Sequence, residues 1–126
     1  MSTTVEDNIK PITVTAGAAI SLGQLLTLSG STASVAGLTS EADAVAMQDA
    51  ESGADFLAKR LNFSDTFIVL ADGDGHSAGA TLYGAASGVA SDTQGTGAFR
   101  VGKAVTAAGA DELFELQYKP GYTAGS

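Results

Sequence analysis

The chain of 126 residues contains no cysteine, no tryptophan and only two prolines. Without cysteine it can form neither a disulfide nor a thiolate metal site, which is compatible with synthesis in a reducing cytosol. No apolar run approaches the roughly 18 residues that a membrane helix needs, and the first residues lack the basic and apolar regions of a signal peptide. We therefore expect a protein that is soluble after synthesis and not secreted.

Positive charge is also scarce. Six Lys and Arg stand against 14 Asp and Glu, for a formal net charge of −8. This balance opposes approach to nucleic-acid phosphates and to anionic lipid, and the cations are too scattered to form a nucleic-acid stripe. The sequence therefore predicts neither a nucleic-acid nor a membrane partner, and the charge is explained by solubility.

Small residues dominate what is present. Hydrophobic residues make up 44% of the chain but aromatic residues only 6%, and there are 16 glycines. A chain of this length fits one domain with a modest core, here a thin one of Val, Leu, Ile and Ala. The polar start ending in Lys10-Pro11 blocks a helix. We predict an extended N-terminal arm over residues 1–11, a domain over 12–120 and a C-terminal tail over 121–126.

Short apolar segments between glycine turns predict an all-β fold whose half-exposed strands belong to a sheet or barrel. Residues 12–15 alternate apolar and polar side chains, with Pro11 tolerated at an edge, and residues 24–28 form the next candidate strand. Residues 67–70 form a continuous apolar run that predicts a buried strand. In residues 114–119, Phe114, Leu116 and Tyr118 share one face, and Phe99, Val101 and Val105 line up similarly.

The segment from 38 to 53 allows two interpretations. Ser40 and Asp43 fit a capping box for a helix through Gln48, whereas residues 44–47 fit a short buried strand. We favour the strand because its neighbours on both sides are β. The acidic residues that follow, Asp49, Glu51 and Asp55, are then expected in or beside a solvated turn.

Two halves of the chain resemble each other. Gly23 and Gly53 are 30 residues apart, as are Gly79 and Gly109. The full set of proposed equivalents pairs Gly23, Leu26, Ser29-Gly30, Ala46 and Ser52-Gly53 with Gly79, Leu82, Ser87-Gly88, Gly102 and Ala108-Gly109. The pattern suggests a duplication, with a slip of two residues at the Ser-Gly pairs.

One motif points to an enzyme. Residues 75–79 match G-x-S-x-G, the turn that presents the nucleophile of many hydrolases, here Ser77. That turn joins a strand to a helix, but the preceding strand stops at Leu70 and residues 81–84 are a poor helix start. A triad also needs a later histidine, and the single histidine is His76, inside the motif. We predict no catalytic residue.

Two further motifs have simpler explanations. Asp72, Asp74 and Gly75 open like a calcium loop, but no acidic residue follows until Asp92, so we expect a polar turn and no metal site. Lys103 is conceivable as the modified lysine of a biotinyl or lipoyl carrier, but such a lysine needs a hairpin tip. Here the sequence predicts a strand, with Lys103 as an edge charge. We predict no cofactor.

The pattern after Ala78 resembles the capsid cement, or head decoration, proteins of tailed phages. The segments that carry the resemblance are 78–83, 85–88, 91–93, 101–105, 107–111 and 114–116, with 19–28 and 44–53 fitting the family's first half. Together they cover about two-thirds of the chain, whereas residues 54–66 match no element of the family. No single residue carries the resemblance.

The resemblance implies a small β-barrel or β-tulip, commonly a homotrimer, that binds the major capsid protein outside an expanded head where capsomers meet. Made in the host cytoplasm, such a protein resides on the outer surface of the virion and acts on no small-molecule substrate. The alternative is a β-rich adhesive module of a tail fibre or cell surface, which is expected to carry exposed aromatics; this chain has three Tyr and no Trp.

An extended segment can add a strand to a partner sheet and satisfy its backbone groups there. We therefore predict that the start of the chain forms part of the adhesive surface. The predicted capsid-binding residues are Ile9, Lys10, Pro11, Ile12, Thr13, Val14 and Thr15.

Overall fold

The computed structural model describes residues 11–37, 41–61, 65–95 and 98–122, and these form ten strands. The strands are β1 (Ile12–Ala16), β2 (Leu25–Ser29), β3 (Thr32–Val35), β4 (Ala44–Ala46), β5 (Asp55–Arg60), β6 (Thr66–Leu70), β7 (Thr81–Gly84), β8 (Ala90–Ser91), β9 (Phe99–Ala104) and β10 (Leu113–Tyr122). One 3-10 turn, Ala86–Gly88, separates β7 from β8. The predicted all-β fold is confirmed. Within these ranges, no helix is long and apolar enough to span a bilayer.

Strands β1 to β5, which we call the first unit, close into a barrel in the order β1-β3-β2-β4-β5. The closure is the antiparallel pairing of β5 with β1, in which Phe56 lies opposite Val14. Among the strands described in this unit, β1 and β3 are the one parallel pair, and Ala16 lies opposite Ala33 there. A closed barrel leaves its strands few unpaired backbone groups, which suits a short, thin-cored unit.

Strands β6 to β10, the second unit, repeat this connectivity in the order β6-β10-β9-β7-β8. Strand β6 pairs with β10 so that Val69 lies opposite Phe114, as Val14 lies opposite Phe56. A single parallel bridge from Ala71 to Ala90 stands where β1 pairs with β3 in the first unit. The two units therefore pair their five strands in the same order, and the predicted duplication is present in the fold.

The equivalences between the units correct the sequence alignment in two places. Leu26 and Leu82 are equivalent as predicted, because they pair with Ala44 and Gly102 respectively. It follows that Gly102 corresponds to Ala44, not to Ala46. Each unit has two turns whose third residue has positive φ: Gly23 and Gly53 in the first unit, Gly79 and Asp111 in the second. The sequence alignment places Gly109 at the position that Asp111 occupies. Aspartate tolerates the left-handed region better than most residues, which is how the glycine pattern is lost there.

Two clusters of buried side chains form the core. One fills the first barrel with small residues and Phe56: Val14, Ala16, Ile20, Leu26, Ala33, Ala44, Ala46 and Ala58 complete it. The other lies in the second unit around Leu82, Val69 and Leu116, and it also contains Leu25, Ala36 and Val45 of the first unit. Both clusters consist largely of the predicted Val, Leu, Ile and Ala, together with three phenylalanines, and the second cluster holds the two units together.

Polar contacts also join the units. The Leu70 amide donates to the Gly23 carbonyl at 2.9 Å, and the Gln24 side-chain amide donates to the Ser87 carbonyl at 2.8 Å. A Cβ added at Gly88, whose φ is +71°, would lie 2.7 Å from the Leu25 carbonyl oxygen. The second unit therefore approaches the first closely enough to require glycine at this point.

Several local predictions are confirmed. Residues 44–46 form the buried strand β4 instead of a helix, although Met47, the last residue of the predicted buried strand, is exposed. Residues 38–40 lie outside the described ranges. Phe114 and Leu116 face the core from β10, while Glu115 and Gln117 are only partly buried. Asp49 and Glu51 are exposed beside the turn at 52–53, and Asp55 begins β5.

Other predictions need correction. Residues 67–70 do not form a continuously buried strand, because side chains alternate along β6 and Ile68 is 52% exposed on the outer face. Val105 does not share a face with Val101: β9 ends at Ala104, and Val105 is exposed. Residues 121 and 122, assigned to the tail, continue β10 and pair with β9. The predicted arm lies outside the described residues except for Pro11.

Tyr118 in β10 provides a test of this packing at alkaline pH. Its ring meets the Phe67 ring edge-to-face, with 6.3 Å between centroids. Burial is the main cause that raises the pKa of the Tyr118 phenol above its usual value of 10.0, with further contributions from Glu41 and Asp43. The folded state therefore favours the protonated phenol, so its contribution to stability is complete below about pH 10 and is lost as the pH rises through the higher folded pKa.

We expect the free energy of unfolding to fall above about pH 10 in the wild type, and to fall less steeply in Tyr118→Phe, which has no phenol to ionise. Urea titrations followed by circular dichroism at a series of pH values measure this difference. Equal slopes in the two proteins above pH 10 would show that the phenol is as easily ionised in the folded chain as in the unfolded one.

Candidate binding surfaces

The first candidate surface is the outer edge of β1, at the start of the predicted capsid-binding segment. Ile9 and Lys10 lie outside the described residues, and Pro11 is exposed. From Ile12 to Thr15 the backbone pairs with β5, but β3 reaches β1 only at Thr15 and Ala16. Among the described residues, the other edge of β1 therefore has no strand neighbour before Thr15.

This pairing divides the predicted segment. Thr15 is held on both sides, since its amide donates to the Ser31 carbonyl at 2.8 Å and its hydroxyl donates to the Asp55 carboxylate at 2.7 Å. A partner strand can add only along the free edge ahead of Thr15, or to the residues that precede β1. Thr15 thus anchors the segment to the barrel.

The G-x-S-x-G motif does not form the turn of a hydrolase. His76 makes an antiparallel bridge with Ala108, residues 78 and 79 form a turn, and strand β7 follows where a hydrolase has a helix. The Ser77 carbonyl accepts a hydrogen bond from the Ala80 amide at 3.2 Å, which belongs to that turn. The strand context expected from the sequence is confirmed.

His76 occupies a core-facing position of the second unit. It is the equivalent of Ile20 in the first unit, because Ile20 bridges to Ala50 as His76 does to Ala108. Its ring packs edge-to-face on Phe114 at 4.3 Å, and Nε2 lies 3.3 Å from the Thr106 carbonyl oxygen. Nδ1 is buried without a hydrogen-bond partner in the described part of the chain. These contacts are those of a side chain packed in the core. Neither ring nitrogen of His76 accepts a hydrogen bond from the Ser77 hydroxyl, so His76 is not placed as its general base.

The other two sequence motifs also have structural explanations. The Asp72 carboxylate accepts hydrogen bonds from the amides of Asp74 and Gly75, both at 3.2 Å, so the segment is the predicted polar turn. Lys103 is exposed in β9, but β9 lies between β7 and β10, so it is not the predicted edge charge. In the ranges that the structure describes, no three His, Cys, Asp or Glu side chains are placed to hold a metal ion.

The second candidate surface was missed by the sequence analysis. It is an open groove of about 420 Å³ between the units, with Val45, Ala46 and Phe67 in its lining and Leu22, Met47 and Ile68 exposed on it. Lys59 and Glu115 also line the groove. The Lys59 ammonium lies 4.9 Å from the centroid of the Phe67 ring, a cation-π contact.

Exposed apolar side chains continue around this groove. Leu57 adjoins Met47, because the Met47 amide donates a hydrogen bond to the Leu57 carbonyl. Val105 likewise adjoins Glu115, because the Val105 amide donates to the Glu115 carbonyl. Leu113 lies against Gly23, next to Leu22. We call these six residues the apolar patch: Leu22, Met47, Leu57, Ile68, Val105 and Leu113. They are all the large hydrophobic side chains that are exposed in the described residues, and exposed apolar side chains gathered together mark interaction surfaces.

The sequence signal for this patch was present but ambiguous. Ile68 and Leu113 look like core residues because each lies beside buried apolar neighbours in its strand. Only the folded structure shows that they face outward, since Ile68 is 52% and Leu113 is 43% exposed.

A comparison with the solved structures identifies the fold. This chain has the fold of a phage head fiber base. It matches the N base of head fiber gp8.5 of bacteriophage phi29 with a TM-score of 0.72 and 22% sequence identity, over 88% of this chain and 94% of that chain. No protein-family model matches the sequence, and no curated protein matches it.

Proposed function

We propose that this protein is a structural, non-enzymatic component of a tailed-phage head. In this proposal it binds the outer surface of the expanded shell at capsomer junctions, through the major capsid protein, and stabilises the shell against the pressure of packaged DNA. The observation that carries the proposal is the fold shared with a phage head fiber base over 88% of the chain. The glycine-turn pattern that resembles head decoration proteins supports it from the sequence side.

The physical properties of the chain suit this role. A net charge of −8 lets a protein attach to a shell without capturing DNA. A homotrimer bound across a junction opposes separation of the capsomers because its contacts must break together, and such multivalency can strengthen weak contacts about a hundredfold. The rival adhesive module would need aromatic side chains for sugars, whereas the large hydrophobic side chains exposed in the described residues are all aliphatic.

The proposed capsid contact is the start of the chain, from the arm through the free edge of β1. An extended segment that adds to a capsid sheet forms backbone hydrogen bonds along its length. Because β5 holds the opposite edge of Ile12–Thr15, the segment can bind a shell without unfolding the barrel.

Deleting residues 2–11 is the experiment that tests this contact. We expect the shortened protein to remain folded and to lose co-sedimentation with expanded heads, because the segment that adds to the capsid sheet is gone. The matched control is Lys103→Ala, an exposed change on the other unit, which should co-sediment like the wild type. If the shortened protein still co-sediments at wild-type concentrations, the arm has no part in binding.

A further inference from the structure

We infer that the apolar patch is the surface through which copies of this chain bind one another. The inference names the contact of the proposed homotrimer and rests on that part of the proposed function. It follows from where the apolar residues lie, from a comparison between the two units, and from the charges at the groove.

The duplicated fold provides an internal comparison. The residue equivalent to Ile68 in the first unit is Thr13, because Thr13 lies opposite Leu57 as Ile68 lies opposite Glu115. The residue equivalent to Leu113 is Asp55 by the same registers. These two outward positions are thus polar in the first unit and apolar in the second. The fold does not require hydrophobic residues there, so a contact beyond the single chain explains them.

The charges at the groove favour a second copy as the occupant. Lys59 and Glu115 line one groove and have opposite signs. When identical patches meet around a symmetry axis, Lys59 of one copy can approach Glu115 of the next, so a single surface supplies both partners of each ion pair. Elsewhere a chain of net charge −8 meets its own copies with repulsion.

This arrangement places Ile68 near the axis. It is the most exposed of the six patch residues, at 52%, and it lines the same groove as Lys59 and Glu115. Contact between copies would bury Ile68 and its neighbours from water, while the free edge of β1 remains available for the shell.

Light scattering after size-exclusion chromatography tests the inference in solution. We expect the wild type to elute with the mass of three chains and Ile68→Glu to elute as a monomer, with association weakened at least about a hundredfold because a charge is placed in an apolar contact. The control Ser34→Glu adds the same charge at an exposed position of β3 and should leave the trimer intact. A monomeric wild type, or a trimeric Ile68→Glu protein, would overturn the inference.

A charge exchange tests the ion pair itself. Lys59→Glu and Glu115→Lys should each weaken association, and the double variant should recover most of it, because the pair is restored with its signs reversed. Failure of the double variant to recover association beyond the weaker single variant counts against contact between these two residues.

Thiol labelling decides the question if Ile68→Glu does not fold. The chain has no cysteine, so Ile68→Cys and Ser34→Cys each carry one thiol. We expect maleimide labelling at position 68 to slow as protein concentration rises, and labelling at position 34 to stay constant. Equal behaviour at the two positions would overturn the inference. Self-association without binding to heads would uphold this inference and refute the proposed binding to heads. Binding to heads by a strictly monomeric protein would refute this inference and uphold the proposed binding to heads.

Discussion

Replacing Gly102 by alanine is expected to destabilise the protein by about 3 kcal/mol or more, because the added methyl group overlaps the neighbouring backbone. Gly102 lies in β9 opposite Tyr118 of β10. An ideal Cβ at this position would overlap the Gln117 carbonyl oxygen and would lie 2.8 Å from the Lys119 amide nitrogen. Both are backbone atoms of an adjacent strand, so relief requires β9 and β10 to separate.

Gly84 is the matched control for this substitution. It is also a strand glycine of the second unit, in β7, and a Cβ added there meets nothing within 4 Å. We expect Gly84→Ala to be neutral or slightly stabilising, since alanine restricts the unfolded chain. Urea unfolding followed by far-ultraviolet circular dichroism measures both variants. A Gly102→Ala protein as stable as Gly84→Ala would show that β9 and β10 do not approach as closely as described.

Truncating Leu82 to alanine is the second change with a large expected effect. Leu82 is completely buried in the shared core cluster. Removing a buried leucine side chain costs about 2–5 kcal/mol through lost transfer free energy and the cavity left behind. Its equivalent Leu26 is also completely buried, in the first barrel. Thermal or urea unfolding of Leu82→Ala and Leu26→Ala measures both losses.

The pair of leucine variants also reports on cooperation between the units. Because the second core cluster contains side chains from both units, we expect Leu82→Ala and Leu26→Ala each to lower a single unfolding transition. Ser34→Ala serves as the comparison, since truncating an exposed side chain outside both candidate surfaces should cost far less. Two separate transitions in either variant would show that the units unfold independently.

Much of the fold was predictable from the sequence because strands and turns leave local signals. The positive-φ glycines Gly23, Gly53 and Gly79 mark turns, of which those at Gly23 and Gly79 are equivalent in the two units. The alternation in β10 shows which side chains face the core. The closure of the first barrel and the order of the strands were not predictable, because pairing between distant segments such as β1 and β5 has no local signature.

The candidate surfaces divide in the same way. The start of the chain could be selected from its polar residues and Pro11, but the sequence does not show that β3 leaves part of β1 unpaired. The apolar patch could not be found from β6, since an exposed Ile68 between buried Phe67 and Val69 looks like a core residue until the strand's outer face is known.

The separation of the two surfaces has a functional consequence under the proposal. The free edge of β1 would bind the shell, and the apolar patch would bind other copies. A trimer brings three β1 edges to one capsomer junction, so the loss of self-association should weaken binding to heads even when each edge is unchanged.

The most direct measurement of the proposed function is electron microscopy of undecorated expanded heads mixed with the purified protein. The proposal predicts regular density on the outer surface at capsomer junctions, with one density for every three bound chains, and bare heads when the protein is omitted. Heads that remain bare at saturating protein concentrations, or protein found only inside the shell, would contradict it.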